Sequence, residues 1–137
     1  MRIVPYLNFN GKAEEALHFY SKALGGKVSD IMRFGDNIAP GMPDFMKNWV
    51  LHAELIFKDQ AIYLSDTFEP EKLILGNGYT VHLDCDSEEE LNALFDAMKV
   101  DGEVTMDVAD TFWGAIYGDL KDKYGIQWSF NYQKPQQ

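Results

Sequence analysis

Two histidines each lie two residues before a carboxylate, in segments whose alternating pattern predicts strands. His52 precedes Glu54, and His82 precedes Asp84. Because successive side chains of a strand point to opposite faces, the two members of each pair share one face. A carboxylate beside an imidazole fixes which ring nitrogen carries the proton, so His52 and Glu54 form a candidate general acid/base pair.

The same residues are open to other interpretations. His52, Glu54 and His82 together offer the ligand types of a divalent metal site. They are also consistent with ordinary polar residues on half-exposed strands, or with interface residues of a dimer. The third histidine, His18, falls in a predicted helix and is interpreted as a surface or partly packed residue.

The segments that position these residues repeat one order, which is a strand, a helix and three strands. In the first half the pattern predicts a strand at 4–9, a helix at 13–24 and strands at 28–34, 50–57 and 61–65. In the second half it predicts a strand at 79–85, a helix after Ser87, and strands at 103–106, 114–120 and 126–132. The Gly- and Pro-rich segment 35–43 is predicted to be an irregular loop.

Each half is therefore a βαβββ module, whose helix covers one face of a small antiparallel sheet. Two such modules can cover each other's remaining faces by curving around a shared concavity. We predict an α+β fold in which two βαβββ modules form curved antiparallel sheets around a concave pocket. We expect residues 1–137 to form one domain, with module 1 at about 1–68, a linker at about 69–78 and module 2 at about 79–134.

Composition restricts the partners. The chain has 12 Lys and Arg against 22 Asp and Glu, a net charge of −10, so we expect no nucleic acid and no membrane partner. The apolar stretches are too short to span a bilayer and the N-terminus has no signal-peptide pattern, so we expect a cytoplasmic protein. The single cysteine, Cys85, excludes an internal disulfide and a Cys-rich zinc site.

Three stretches carry a resemblance to a known family. They are PYLNFNGKAEEALHFYSKALGG at 5–26, GMPDFMKNWVLHAEL at 41–55 and DTFWGAIYGDLKDKYGIQWSF at 110–130. The chain resembles the PhnB-like branch of the vicinal-oxygen-chelate (glyoxalase/bleomycin-resistance/dioxygenase) superfamily, whose domain is a pair of βαβββ modules. This branch also carries the name 3-demethylubiquinone-9 3-methyltransferase-like. We do not expect methyl transfer, because its Gly-rich loop should follow a strand, whereas Gly25 and Gly26 follow a helix.

The resemblance implies where a metal site would lie. Family enzymes place His, Gln or Glu ligands on facing strands, at positions that fall here near Pro5 or Tyr6, Tyr63, Tyr79 or Thr80, and Trp128 or Ser129. None of these residues is a His, Gln or Glu, so we expect no metal ion and no cofactor. A metal enzyme of the glyoxalase or dioxygenase type with displaced ligands remains the alternative.

A small-molecule pocket is also implied. We predict His52 and Glu54 as its catalytic residues, and the residues that bind the ligand are predicted to be Tyr6, Asn8, His82, Trp113 and Trp128. The alternative without catalysis is a small-molecule binding or drug-sequestering protein. We expect a homodimer, because small modules gain burial from a second chain.

Two further motifs are predicted to be structural. Asp122 to Gly125 resembles the Asp-Pro-x-Gly turn of the family and predicts a hairpin turn. Ser87 followed by Glu90 is a capping-box pattern, which places the acidic residues around it at a helix N-terminus.

Overall fold

The strands and helices fall into two units, Met1–Ile74 and Leu75–Gln137. A computed structural model describes residues 1–37 and 41–136 of the chain. The division between the units falls inside the segment predicted as a linker. Within the described residues, no helix has the length and apolar character needed to cross a bilayer.

In the first unit a helix packs against a five-stranded sheet. The elements are β1 (Tyr6–Phe9), α1 (Ala13–Leu24), β2 (Lys27–Val28), β3 (Met32–Arg33), α2 (Phe34–Asn37), β4 (Val50–Phe57) and β5 (Gln60–Asp66). The strand order is β1-β5-β4-β2, and β3 also pairs with β4. One face of the sheet and one face of α1 form the core, whose residues include Leu7, Phe9, Ala16, Leu17, Tyr20, Ala53, Leu55, Ile62 and Leu64.

The second unit has four strands and one helix. The elements are β6 (Val81–Asp84), α3 (Glu88–Met98), β7 (Glu103–Asp110), β8 (Ala115–Lys121) and β9 (Gln127–Gln133), in the strand order β6-β9-β8-β7. The core residues include Leu91, Phe95, Met98, Ile116, Leu120, Trp128 and Phe130. Phe95 of α3 contacts Phe130 edge to face, with ring centroids 5.3 Å apart.

The α+β class and the two βαβββ modules are confirmed, but the sheets are mixed rather than wholly antiparallel. The first strand of each unit runs parallel to the last, so β1 pairs with β5 and β6 pairs with β9. Parallel strands need a long crossover connection, and in each unit the helix and the intervening strands supply it.

The strand predicted at 28–34 is wrong in its centre. It is divided into β2 and β3, because Ser29 turns to bond Glu54 and the register against β4 shifts between Met32 and Arg33. Phe34 already belongs to α2. The predicted loop at 35–43 begins inside that helix, and its residues 38–40 lie outside the described part of the chain.

The N-terminus of α3 has the predicted cap. The Ser87 hydroxyl accepts a hydrogen bond from the Glu90 amide at 3.0 Å, while the Glu90 carboxylate accepts from the Asp86 amide at 2.8 Å. Just before this helix, burial and, to a smaller extent, the negative charges of Glu90, Asp84 and Asp86 raise the pKa of the Cys85 thiol to about 11. Cys85 is therefore a protonated, unreactive core residue at neutral pH.

Candidate functional site

Strand β4 brings His52 and Glu54 to the polar face of the first sheet. Their neighbours Ala53 and Leu55 are fully buried on the opposite face. The alternation predicted for this strand is therefore confirmed, and both polar side chains remain partly exposed, His52 at 27% and Glu54 at 32%.

A continuous hydrogen-bonded chain joins Tyr6, His52 and Glu54. Tyr6 Oη lies 2.6 Å from His52 Nδ1, and His52 Nε2 lies 2.9 Å from Glu54 Oε2. A carboxylate only accepts hydrogen bonds, so Nε2 carries a proton. In the neutral imidazole Nδ1 is then an acceptor, and the Tyr6 hydroxyl donates to it. The hydrogen-bonded chain thus runs from a hydroxyl through an imidazole to a carboxylate, and the carboxylate orients the imidazole.

The strand order explains how Tyr6 reaches His52. Tyr6 on β1 is in register with Tyr63 on β5, and Tyr63 is in register with Glu54 on β4. The Tyr6 side chain extends across β5 to meet His52. Tyr63 lies beneath this contact, with its ring centroid 5.6 Å from that of Tyr6 and 5.0 Å from that of His52. The Tyr63 ring therefore contacts both rings of the hydrogen-bonded chain.

The environment keeps Tyr6 protonated. Burial raises the pKa of Tyr6 above its ordinary value of 10.0, and the negative charge of Glu54 raises it further, while a hydrogen bond with Ser65 acts in the opposite direction. A phenol with a raised pKa is neutral at physiological pH. Tyr6 is thus a hydrogen-bond donor to His52 and not a resident phenolate.

The backbone of Glu54 is held by Ser29, in the break between β2 and β3. The Glu54 amide donates to Ser29 Oγ at 2.8 Å, and the Ser29 amide donates to the Glu54 carbonyl at 2.9 Å. This reciprocal pair fixes the strand at the position from which the carboxylate reaches His52. Ser29 was not predicted as a site residue.

The second unit contains a similar chain built on His82. Nδ1 of His82 lies 2.7 Å from Ser129 Oγ, and Nε2 lies 3.1 Å from Asp84 Oδ1. The Thr80 hydroxyl also bonds Ser129, at 2.8 Å. Ser129 is only 2% exposed, whereas Tyr6 is 46% exposed. Tyr6 is therefore accessible to a ligand, while Ser129 is buried among its own hydrogen-bond partners.

The other predicted ligand-binding residues lie in different surroundings. Asn8 is exposed on β1, on the same face as Tyr6, and Trp113 is half exposed in the turn between β7 and β8. Trp128 has no exposed surface, and its indole N–H donates to Asp122 at 2.8 Å. Trp128 is a core residue that a ligand cannot reach, so it is omitted from the proposed ligand site. The side chain of its neighbour Ser129 lies on the polar face instead, where it bonds His82 and Thr80.

Hydroxyl groups occupy the positions at which the family resemblance implies metal ligands. They belong to Tyr6, Tyr63, Thr80 and Ser129. Neutral hydroxyls lack the charge and basicity with which His and Glu bind divalent metals, so this set does not fit the metal site. Throughout residues 1–37 and 41–136, no cluster of three or more His, Cys, Asp or Glu side chains could hold a metal ion.

The family of the chain follows from its sequence and fold together. The family model described as 3-demethylubiquinone-9 3-methyltransferase matches residues 1–130, and the chain belongs to this family. In its fold the chain is also similar to a glyoxalase/bleomycin resistance protein/dioxygenase family enzyme from Burkholderia phytofirmans PsJN, with a TM-score of 0.66 at 14% identity, covering 94% of this chain and 97% of that one.

Individual relatives cover nearly the whole chain. Protein YjdN of Escherichia coli (strain K12) is 30% identical over 99% of this chain and 98% of its own length. The structure of PA1353 from Pseudomonas aeruginosa has a TM-score of 0.88 at 34% identity, covering 98% of this chain and 99% of that one. The PhnB protein from Bacillus cereus has a TM-score of 0.81 at 27% identity, covering 96% and 99%.

Proposed function

We propose that the polar face of the first sheet is a small-molecule site in which His52 accepts and returns a proton. Glu54 holds the tautomer of His52, and Tyr6 relays the proton between ligand and imidazole. The observation that carries this proposal is the unbroken chain from Tyr6 Oη to His52 Nδ1 and from His52 Nε2 to Glu54 Oε2, at 2.6 and 2.9 Å.

The proton balance of the relay is simple. A bound ligand gives one proton to the lone pair of Tyr6 Oη while Tyr6 gives its own proton to His52 Nδ1. The ligand has then lost one proton, His52 has gained one, and Tyr6 is neutral before and after. The imidazolium is stabilised by the Glu54 carboxylate, and the reverse transfer returns the proton. The raised pKa of Tyr6 supports this role, because Tyr6 stays neutral and the relay does not require a stable phenolate.

Other predicted features complete the proposal. Asn8 lies two residues from Tyr6 on the same strand face, where it can contact the same ligand. Contacts from His82 and Trp113 remain predictions, as does the homodimer. Methyl transfer is not part of the proposal: Gly25 and Gly26 end α1 and precede β2, so they do not form a cofactor loop after a strand.

Exchange of carbon-bound protons tests this function directly. Hydroxyacetone is a small neutral ketone with acidic C–H bonds, and in D₂O its deuterium uptake is followed by proton NMR. We expect the native protein to accelerate exchange, and His52→Gln to reduce that acceleration by about 10²-fold, the lower range for loss of a general base. His18→Gln is the matched control, since His18 is an exposed histidine on α1, and it should keep the native rate.

Two outcomes would reject the catalytic role. Equal exchange rates with the native protein and with His52→Gln would show that His52 is not the base. Probe binding at the Tyr6 face without any accelerated exchange would favour the alternative of a binding or sequestering protein.

A further inference from the structure

The hydrogen-bonding capacity left over at the Tyr6 site defines what it can bind. We infer that this site takes a small organic cation that donates hydrogen bonds, such as a protonated primary amine. The inference rests on the ligand site proposed above and names the substrate class of that site.

The polar protons of Tyr6, of His52 and of the Glu54 backbone amide are already committed within the site. The Tyr6 hydroxyl proton is directed at His52 Nδ1, and the Nε2 proton of His52 is directed at Glu54. The Glu54 amide is likewise engaged, by Ser29 Oγ. What these groups still offer to a ligand are lone pairs on Tyr6 Oη and on the Glu54 carboxylate. A ligand that donates hydrogen bonds complements them, and one that only accepts does not.

The charge of the site points the same way. The Glu54 carboxylate is paired with His52. When the imidazole is neutral, it brings no positive charge to balance the negative charge of the carboxylate. The Arg33 guanidinium makes a bidentate pair with Glu14 at 2.9 and 3.0 Å and donates to the Asn48 carbonyl. The net charge of −10 on the whole chain also attracts cations and repels anions.

The aromatic rings add to this preference. Tyr6, His52 and Tyr63 lie within 5.0–5.6 Å of one another, measured between ring centroids. Aromatic faces carry negative electrostatic potential and attract ammonium groups. The Tyr63 hydroxyl and the Asn8 amide can each donate or accept, so they help to orient a ligand without selecting its charge.

Three probes of similar size separate the charge classes. Benzylamine, benzyl alcohol and benzoate share a phenyl ring and differ in carrying a positive, a zero or a negative charge at pH 8. We expect NMR titration to place benzylammonium at Tyr6 and His52, with an affinity at least about tenfold above that of benzoate. Raised salt should weaken binding of benzylammonium more than binding of benzyl alcohol.

Matched variants locate the responsible charge. Glu54→Gln should weaken benzylammonium binding about fivefold or more while leaving benzyl alcohol within about twofold. Glu15→Gln removes the same charge from the exposed side of α1, where Glu15 pairs with Lys12, and should leave both affinities nearly unchanged. Equal effects of the two variants would mean that only the overall charge matters, which would overturn the inference.

The result can separate this inference from the proposed function. Benzoate or benzyl alcohol binding more tightly than benzylammonium, with contacts to His52 that are lost in His52→Gln, would reject the cation and keep the site. Absence of binding by all three probes at the Tyr6 face would reject both.

Discussion

Replacing Asp122 by alanine is expected to lower the free energy of unfolding by about 3–5 kcal/mol, which is at the upper end for a single substitution. Asp122 is 3% exposed, and its carboxylate accepts hydrogen bonds from two backbone amides and an indole. Oδ1 accepts from the amides of Tyr124 and Ile126, at 2.8 and 3.1 Å, and Oδ2 accepts from the Trp128 indole at 2.8 Å. Each buried donor left without a partner costs about 1–3 kcal/mol.

The turn around Asp122 offers a matched control. Lys123 is exposed in the same turn, and Lys123→Ala should change the free energy of unfolding by less than about 0.5 kcal/mol. Urea unfolding of both variants, followed by tryptophan fluorescence, gives the comparison. An Asp122→Ala variant within about 1 kcal/mol of the native protein would show that water replaces the carboxylate in the turn.

Replacing Asp66 by alanine is expected to have a similar effect on the first unit, about 3–5 kcal/mol. Lys12, at the N-cap of α1, gives no side-chain hydrogen bond to the helix. Asp66, from the end of β5, takes this role instead, since Oδ1 accepts from the Ala13 amide at 3.0 Å and Oδ2 from the Val50 amide at 2.9 Å. The carboxylate therefore joins the start of α1 to the start of β4.

Asp66 also predicts a pH dependence with a definite sign. Burial raises the pKa of Asp66 above its ordinary value, and this outweighs the hydrogen bonds from the backbone amides of Val50, Ala13, Gly11 and Lys12. The folded state then binds the Asp66 proton more tightly than the unfolded state does. The stability that this proton gives to the folded state is therefore lost as the pH rises from about 4 through the raised pKa.

The asparagine variant isolates this contribution. The difference in unfolding free energy between the native protein and Asp66→Asn should shift in favour of Asp66→Asn as the pH rises through that range. A shift in the opposite direction would mean that the backbone amides dominate and that the pKa is lowered. Chemical unfolding at a series of pH values provides the measurement.

Local patterns in the sequence predicted the facing of β4 and the cap of α3. Alternation along 50–57 was sufficient to place His52 and Glu54 on the polar face, because a strand with one buried face has only one favourable register. The interaction of Ser87 with Glu90 spans three residues, so the sequence contains all of it.

Features that depend on strand order could not be predicted in the same way. The contact of Tyr6 with His52 joins residues 46 apart, and it requires that β5 lie between β1 and β4. The cap that Asp66 provides for α1 spans 53 residues for the same reason. The burial of Trp128, by contrast, could have been predicted from the sequence. Trp128 and Phe130 are two large apolar residues two positions apart, which predicts that this side of β9 faces the core.

The central claim is that Glu54 holds His52 in the tautomer that accepts a proton from Tyr6, and the ¹⁵N spectrum of the imidazole side chains tests it most directly. At pH 8 we expect Nε2 of His52 to carry the proton. Nδ1 should resonate as an unprotonated nitrogen that accepts a hydrogen bond. Tyr6→Phe should move the Nδ1 resonance and leave the ring nitrogens of His18 unchanged. A proton on Nδ1 in the neutral ring, or an Nδ1 resonance that does not respond to Tyr6→Phe, would contradict the account.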